Sequence, residues 1–169
     1  IVTRGANTYG PYQYPEKLIP YFVSEALNNR KLSVYGDGLQ QRDWLHVEDH
    51  CRAILHVFDK GVPGEVYNVP GNEHKTNIEL TKSLLSFLGK DASLIQFVAD
   101  RKGHDRRYAM DGSKLKDLGF RHTKIFQEEF SKTLSWYADN IEWLNQIRQK
   151  NPEDQTYFSK QYSGRSISS

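Results

Sequence analysis

Short β-favouring runs that alternate with helical stretches are the feature that most limits how this chain can fold. The runs fall at residues 1–3, 31–35, 40–46, 65–69 and 94–99, and helical patterns fall at 19–29, 47–60, 76–88, 113–118 and 126–149. Strands separated by helices predict an α/β fold. The strands are few and short, so the sheet they form need not be complete by itself.

Local signals set the expected boundaries. Pro20 belongs in the first turn of its helix, because a proline further in would forfeit a hydrogen bond. Val47, Cys51, Ile54, Leu55 and Phe58 recur at helical spacing before Gly61, which makes Cys51 an expected buried thiol. Thr76 and Glu79 have the spacing of a capping box, and Gly89 ends the helix they open. Phe130, Leu134, Tyr137, Ile141 and Leu144 predict one long helix. Residues 1–4 read as a buried strand with no lead-in, as if the chain were entered in the middle. From residue 151 the sequence is polar around Tyr157, Phe158 and Tyr162, either a frayed tail or an extension that folds back.

Charge narrows the partners. The 23 Lys and Arg against 21 Asp and Glu leave a net charge of +2 over 169 residues, and the basic residues are scattered, which argues against nucleic acid. A lone cysteine forms no internal disulfide. No apolar run approaches the roughly 18 residues of a membrane span. A cytoplasmic enzyme, or part of one, is the expectation. His46 and His50 are four apart, but the acids between them do not match a His-Glu-x-x-His site and no third ligand is evident, so no metal is predicted.

The chemistry concentrates in residues 100–111, Asp-Arg-Lys-Gly-His-Asp-Arg-Arg-Tyr-Ala-Met-Asp, where an apolar strand empties into a polar loop. Arg101, Arg106 and Arg107 suit a diphosphate, because a guanidinium offers parallel N–H donors to oxyanions. Gly103 marks a point of close backbone approach. A solvated loop whose charges pair with one another is the competing reading. Asn7, after the first strand, is either a ligand contact or a turn residue bonded to its own backbone. Lys17 stands just before a helix N-terminus, where an anion is also favoured. Tyr35 and Arg42 flank a Gly-Asp-Gly turn and could bracket a base or a phosphate, or stack on each other. The Asn77 side chain, in a first helical turn, faces either a ligand or water.

Taken together, Arg4-x-x-Asn7-x-Tyr9-Gly10-Pro11, Pro15-Glu16-Lys17-Leu18-Ile19-Pro20, Tyr35-Gly36-x-Gly38, Arg42-Asp43-Trp44, Val47-Glu48-Asp49-His50, Tyr67-Asn68 and the segment from Asp100 to Ala109 resemble the carboxyl-terminal half of the dTDP-glucose 4,6-dehydratase family. That family lies within the extended short-chain dehydrogenases/reductases. The resemblance implies the last strands of the NAD-binding sheet plus a small α/β substrate-binding part over residues 1–150, and a C-terminal extension over 151–169. It implies nucleotide-sugar contacts at Asn7, Lys17, Leu18, Tyr35, Arg42, Asn77, Arg101, His104 and Tyr162, with the arginines on the diphosphate. Thr8 stands where a second Asn usually touches the NAD nicotinamide. Ser33 and Lys102 replace prolines often found there.

The family's Gly-x-x-Gly-x-x-Gly turn, Asp-Glu pair and Tyr-x-x-x-Lys pair do not occur in this sequence. The expectation is therefore a fragment that binds dTDP-glucose, bears no catalytic residue and is inactive alone. NAD would be held mainly by an amino-terminal half, in a protein that is a homodimer at full length, with rhamnose biosynthesis the commonest destination. The alternatives are another family member acting on a UDP-sugar, an epimerase or a decarboxylase, and a non-catalytic nucleotide-sugar binding module.

Overall fold

The structure, a computed structural model, describes residues 1–150. The strands are β1 (Val2–Gly5), β2 (Asn7–Tyr9), β3 (Leu32–Tyr35), β4 (Gln41–His46), β5 (Val66–Val69), β6 (His74–Thr76) and β7 (Ile95–Val98). The helices are α1 (Leu18–Leu27), α2 (Val47–Lys60), α3 (Asn77–Phe87), α4 (Ser113–Asp117), α5 (Phe126–Asp139) and α6 (Ile141–Lys150). Two compact units share the chain. One contains Ile1–Gly10, Gln41–Lys75 and Arg106–Phe130; the other contains Pro11–Gln40, Thr76–Asp105 and the chain from Ser131.

In the first unit, β1 runs parallel to β5 with Val2 opposite Val66, and β2 runs parallel to β4 with Asn7 opposite Trp44. β6, a strand missed in the sequence, joins β4 on its other side. Leu45, Ala53, Val57, Tyr67, Val69, Leu115 and Phe120 form the core between sheet and helix.

α2 has the expected bounds, but it is turned the other way round. Asp49, Ala53 and Val57 are buried, whereas Ile54, Leu55 and Phe58 are exposed, Phe58 by 81%. Cys51 is exposed as well, which corrects the expectation of a buried thiol. The cause is Asp49. Its carboxylate accepts from the Thr123 amide at 3.1 Å, the Lys124 amide at 2.9 Å, the Thr123 hydroxyl at 3.1 Å and Arg52 at 2.5 Å. Burial would raise this group's pKa, but the hydrogen bonds from the Lys124 and Thr123 amides, Arg52 and the Thr123 hydroxyl prevail and hold it below the usual carboxylate range. A helix fixed by that pin presents its small and polar side inward. β1 is likewise a strand but not a buried one. Ile1 and Val2 are about half exposed, because β5 is the only strand paired with β1 among the described residues.

In the second unit, α1 is buried along Ile19–Ala26 and includes Ser24 and Glu25. Glu25 is neutralised by a two-pronged contact from Arg30, both bonds 2.8 Å, and by Arg148 at 2.9 Å. Pro20 does lie in the first turn. β3 and β7 pair in parallel, with Tyr35 opposite Val98. The Thr76–Glu79 capping box forms in both directions. The long helix expected over 126–149 is two helices, α5 and α6, with Asn140 between them. The Asn140 side chain bonds back to the Trp136 carbonyl at 2.8 Å, the same carbonyl that its own amide reaches at 3.0 Å.

Candidate nucleotide-sugar site

β7 delivers the charged loop. Its last residues lead into Asp100, whose carboxylate accepts from the Arg101 amide at 2.8 Å, the Gln40 side-chain amide at 2.8 Å and His104 Nδ1 at 2.6 Å. Burial pushes the Asp100 pKa up, but the bonds from His104, Arg101 and Gln40 outweigh it and hold the group below its ordinary value. Gly103 takes a left-handed φ of 69°, and the turn closes with the His104 amide donating to the Arg101 carbonyl at 3.2 Å. The loop therefore curls around Asp100.

Curling brings Arg101 and His104 to the same aromatic ring. The Arg101 guanidinium lies 5.9 Å from the centre of the Tyr35 ring, and the His104 ring meets Tyr35 edge-on at 5.9 Å. Gly36 and Gly38 turn the chain after β3 with φ of 55° and 73°. A Cβ on Gly38 would come within 2.8 Å of Val34 and 2.9 Å of Ile78, so the turn packs tightly against the start of α3. There the Asn77 amide donates to the Gln40 carbonyl at 3.0 Å and the Ile78 amide to the Gly38 carbonyl at 2.9 Å. Tyr35, Asn77, Arg101 and His104 thus belong to one unit. So do Lys17 and Leu18 at the start of α1. Lys17 is the N-cap residue, as its position before the helix suggested, but its ammonium pairs with Glu16 and no side-chain cap bond forms.

Asn7, Thr8 and Arg42 lie in the other unit. Arg42 is buried in β4, its guanidinium 4.2 Å from the centre of the Tyr108 ring. The segment carrying Tyr108 runs alongside β4: the Gln41 amide donates to the Arg106 carbonyl at 2.8 Å, and the Tyr108 amide to the Gln41 carbonyl at 3.2 Å. Asn7 lines a cavity of about 430 Å³ together with Gly5, Ala6, Asp43 and Arg107 to Met110. Asp43 is spoken for, since it accepts from the Gly71 and Glu73 amides. The Thr8 hydroxyl is 2.9 Å from His50 Nδ1, and the His50 ring covers Gly5, where a Cβ would lie 2.5 Å from it.

Tyr35 and Arg42 therefore each have another partner, Arg101 and Tyr108 respectively. Sequence reasoning missed Tyr108, Asp100 and Gln40 as organising residues, although Tyr108 and Asp100 lie inside the segment it singled out. Tyr162 lies outside the described residues. Among the described residues no group of three His, Cys, Asp or Glu could hold a metal ion, and no helix is long and apolar enough to cross a membrane.

Residues 1–70 match the NAD dependent epimerase/dehydratase family. A crystal structure of dTDP-glucose 4,6-dehydratase from Bacillus anthracis in complex with NAD superposes with a TM-score of 0.81 and 50% identity, over 86% of this chain and 47% of that one. The chain thus has the α/β fold of the part of that structure it matches, about half of it. The dTDP-glucose 4,6-dehydratase of an Actinoplanes species is 49% identical over 144 residues, 85% of this chain and 45% of its own length. A UDP-glucose 4-epimerase from Thermotoga maritima, solved with UDP-glucose, shares the fold at a TM-score of 0.77 but only 30% identity, over 83% of this chain and 46% of that one. The chain spans about half the length of the relatives it matches.

Proposed function

We propose that this chain is the nucleotide-sugar-binding part of a dTDP-glucose 4,6-dehydratase, an NAD-dependent lyase that converts dTDP-glucose to dTDP-4-dehydro-6-deoxyglucose and water. The observation that carries the reading is the gathering of Arg101 and His104 on Tyr35 by the loop after β7. A cation, an imidazole and an aromatic ring in one cluster suit the diphosphate, polar groups and base of a nucleotide sugar. Arg42, steadied by Tyr108, is a second candidate for the diphosphate. Asn7, Lys17, Leu18 and Asn77 complete the proposed contacts in the described residues, with Tyr162 from the extension. Identity of 50% to a dehydratase structure against 30% to a UDP-glucose epimerase favours the dehydratase over a UDP-sugar enzyme.

Bound NAD would supply hydride acceptance at sugar C4 and hydride return to C6. From this chain its expected contact is Thr8, and the hydroxyl held by His50 beside Gly5 fits a small polar contact at that position. The glycine turn, the Asp-Glu pair and the Tyr-x-x-x-Lys pair needed for the chemistry would come from a further part of the enzyme, so this chain by itself has no dehydratase activity. The half-exposed β1 and the apolar outer side of α2 support such a part packing here, and a homodimer of the longer protein belongs to the same proposal.

Titration calorimetry with dTDP, and UDP as the control, tests the reading. Selective dTDP binding is expected, and equal binding of UDP would move the assignment to a UDP-sugar enzyme. Arg42→Ala and Arg101→Ala should each weaken dTDP binding by roughly 1.5–3 kcal/mol, the usual scale for hydrogen bonds to charged groups. Unchanged affinity in both variants would reduce the loop to solvated surface.

A further inference from the structure

We propose that Asp100 is a positioning residue: its carboxylate holds His104 as the Nδ1–H tautomer, leaving Nε2 as an acceptor for a hydroxyl or N–H of a bound nucleotide sugar rather than a donor to its phosphates. The inference rests on reading the Tyr35 cluster as a nucleotide-sugar site.

Three observations carry it. First, Asp100 Oδ1 and His104 Nδ1 are 2.6 Å apart, and an ionised carboxylate can only accept. The opposite tautomer would set two lone pairs against each other at that distance. Second, Gln40 reports the same polarity from another direction. Its amide nitrogen donates to Asp100 Oδ2 at 2.8 Å, while its Oε1 stays buried without a hydrogen-bond partner among the described residues. An unpaired buried carbonyl is unfavourable, so the demand that orients this amide is the carboxylate's need for donors. Third, the His104 side chain is only 4% exposed, yet Nε2 makes no hydrogen bond among the described residues. A ring fixed at one nitrogen, with the other neither bonded among the described residues nor sealed in the protein, is set for a ligand donor.

Asp100 acts on more than His104. It accepts the Arg101 amide at 2.8 Å, so it also fixes the residue whose guanidinium lies over Tyr35. Gly36 makes room for it: a Cβ there would lie 3.0 Å from Asp100 Oδ2. Phosphate recognition is thereby left to the arginines, and imidazole recognition is turned toward a neutral polar group.

Nitrogen NMR shifts of His104 in the full chain, assigned by loss of the signals in His104→Asn, decide the proposal without any ligand. A failure of dTDP to bind would overturn the nucleotide-sugar reading and leave these shifts unaffected. The expected result near neutral pH is a protonated Nδ1 and a bare Nε2. Asp100→Ala should move the ring toward the Nε2–H tautomer that free imidazole side chains prefer, and Asp100→Asn, which keeps an acceptor, should restore the wild-type signature. In the binding assay Asp100→Ala should weaken dTDP by about five- to tenfold, with Asn recovering most of the loss. A bare Nδ1 or a doubly protonated ring in the wild type would overturn the proposal. So would an unchanged tautomer in a folded Asp100→Ala variant. The wild-type spectrum decides even if that variant does not fold.

Discussion

Asp49 and Asp100 are two carboxylates that each gather several donors, with opposite consequences. Asp49 is sealed under the turn at Thr123 and Lys124, with all its donors from the protein, and it decides which side of α2 faces the core. Asp100 is on an exposed loop, and its donors are groups of the candidate site: the Arg101 amide, Gln40 and His104. Identical side-chain chemistry thus builds structure in one place and shapes a binding surface in the other. What separates the roles is where the donors lead, not the strength of any one bond.

The sharpest test of that contrast is removal of each carboxylate. Asp49→Ala strands two backbone amides and should lower stability by about 3–4 kcal/mol, read by urea denaturation. Asp100→Ala should lower it by about 1 kcal/mol, since its pairs are partly solvated. Equal losses would break the comparison.

Acid provides a second, smaller effect. Burial lowers the pKa of His50, and it lowers that of His46 against the opposing pull of Glu129 and Glu48. As pH falls through about 6.5 the unfolded chain takes up protons before the folded one, so stability is intact above that value and declines below it. Melting temperature should therefore drop between about pH 7.5 and about pH 5.5, and His50→Phe should flatten the slope. Asp49, whose pKa is lowered, contributes stability present above its ordinary value near 3.8 and lost at more acid pH. The smallest expected change is at the apolar outer side of α2. Phe58→Ser should alter the chain's own stability by no more than about 0.5 kcal/mol, because the ring packs against little here. A large loss would mean that this side is buried after all.

The α/β class, the limits of α2, the Thr76 capping box and the Lys17 position at the head of α1 were legible because each depends on residues within a turn or two of one another. The inward side of α2 was not. Periodicity reports that a helix is two-sided, but Asp49 meets its partners at Thr123 and Lys124, far along the chain, and they reverse the expected choice. The site divides in the same way. Charge marked residues 100–111, yet the platform under Arg42 depends on a parallel bridge between Gln41 and Arg107 that no local pattern announces. The break at Asn140 was missed because the apolar spacing continues across it.

The open side of β1 also governs how the isolated chain behaves in a tube. Val2 to Gly5 offer main-chain amides with a strand on one side only among the described residues, and Leu55 and Phe58 add a greasy outer surface in the same unit. Such a surface takes up hydrophobic dyes, and an open strand recruits like strands as concentration rises. Dilute samples, mild detergent and early light-scattering checks are the practical corollary, and rapid deuterium uptake across Val2–Gly5 is its spectroscopic mark.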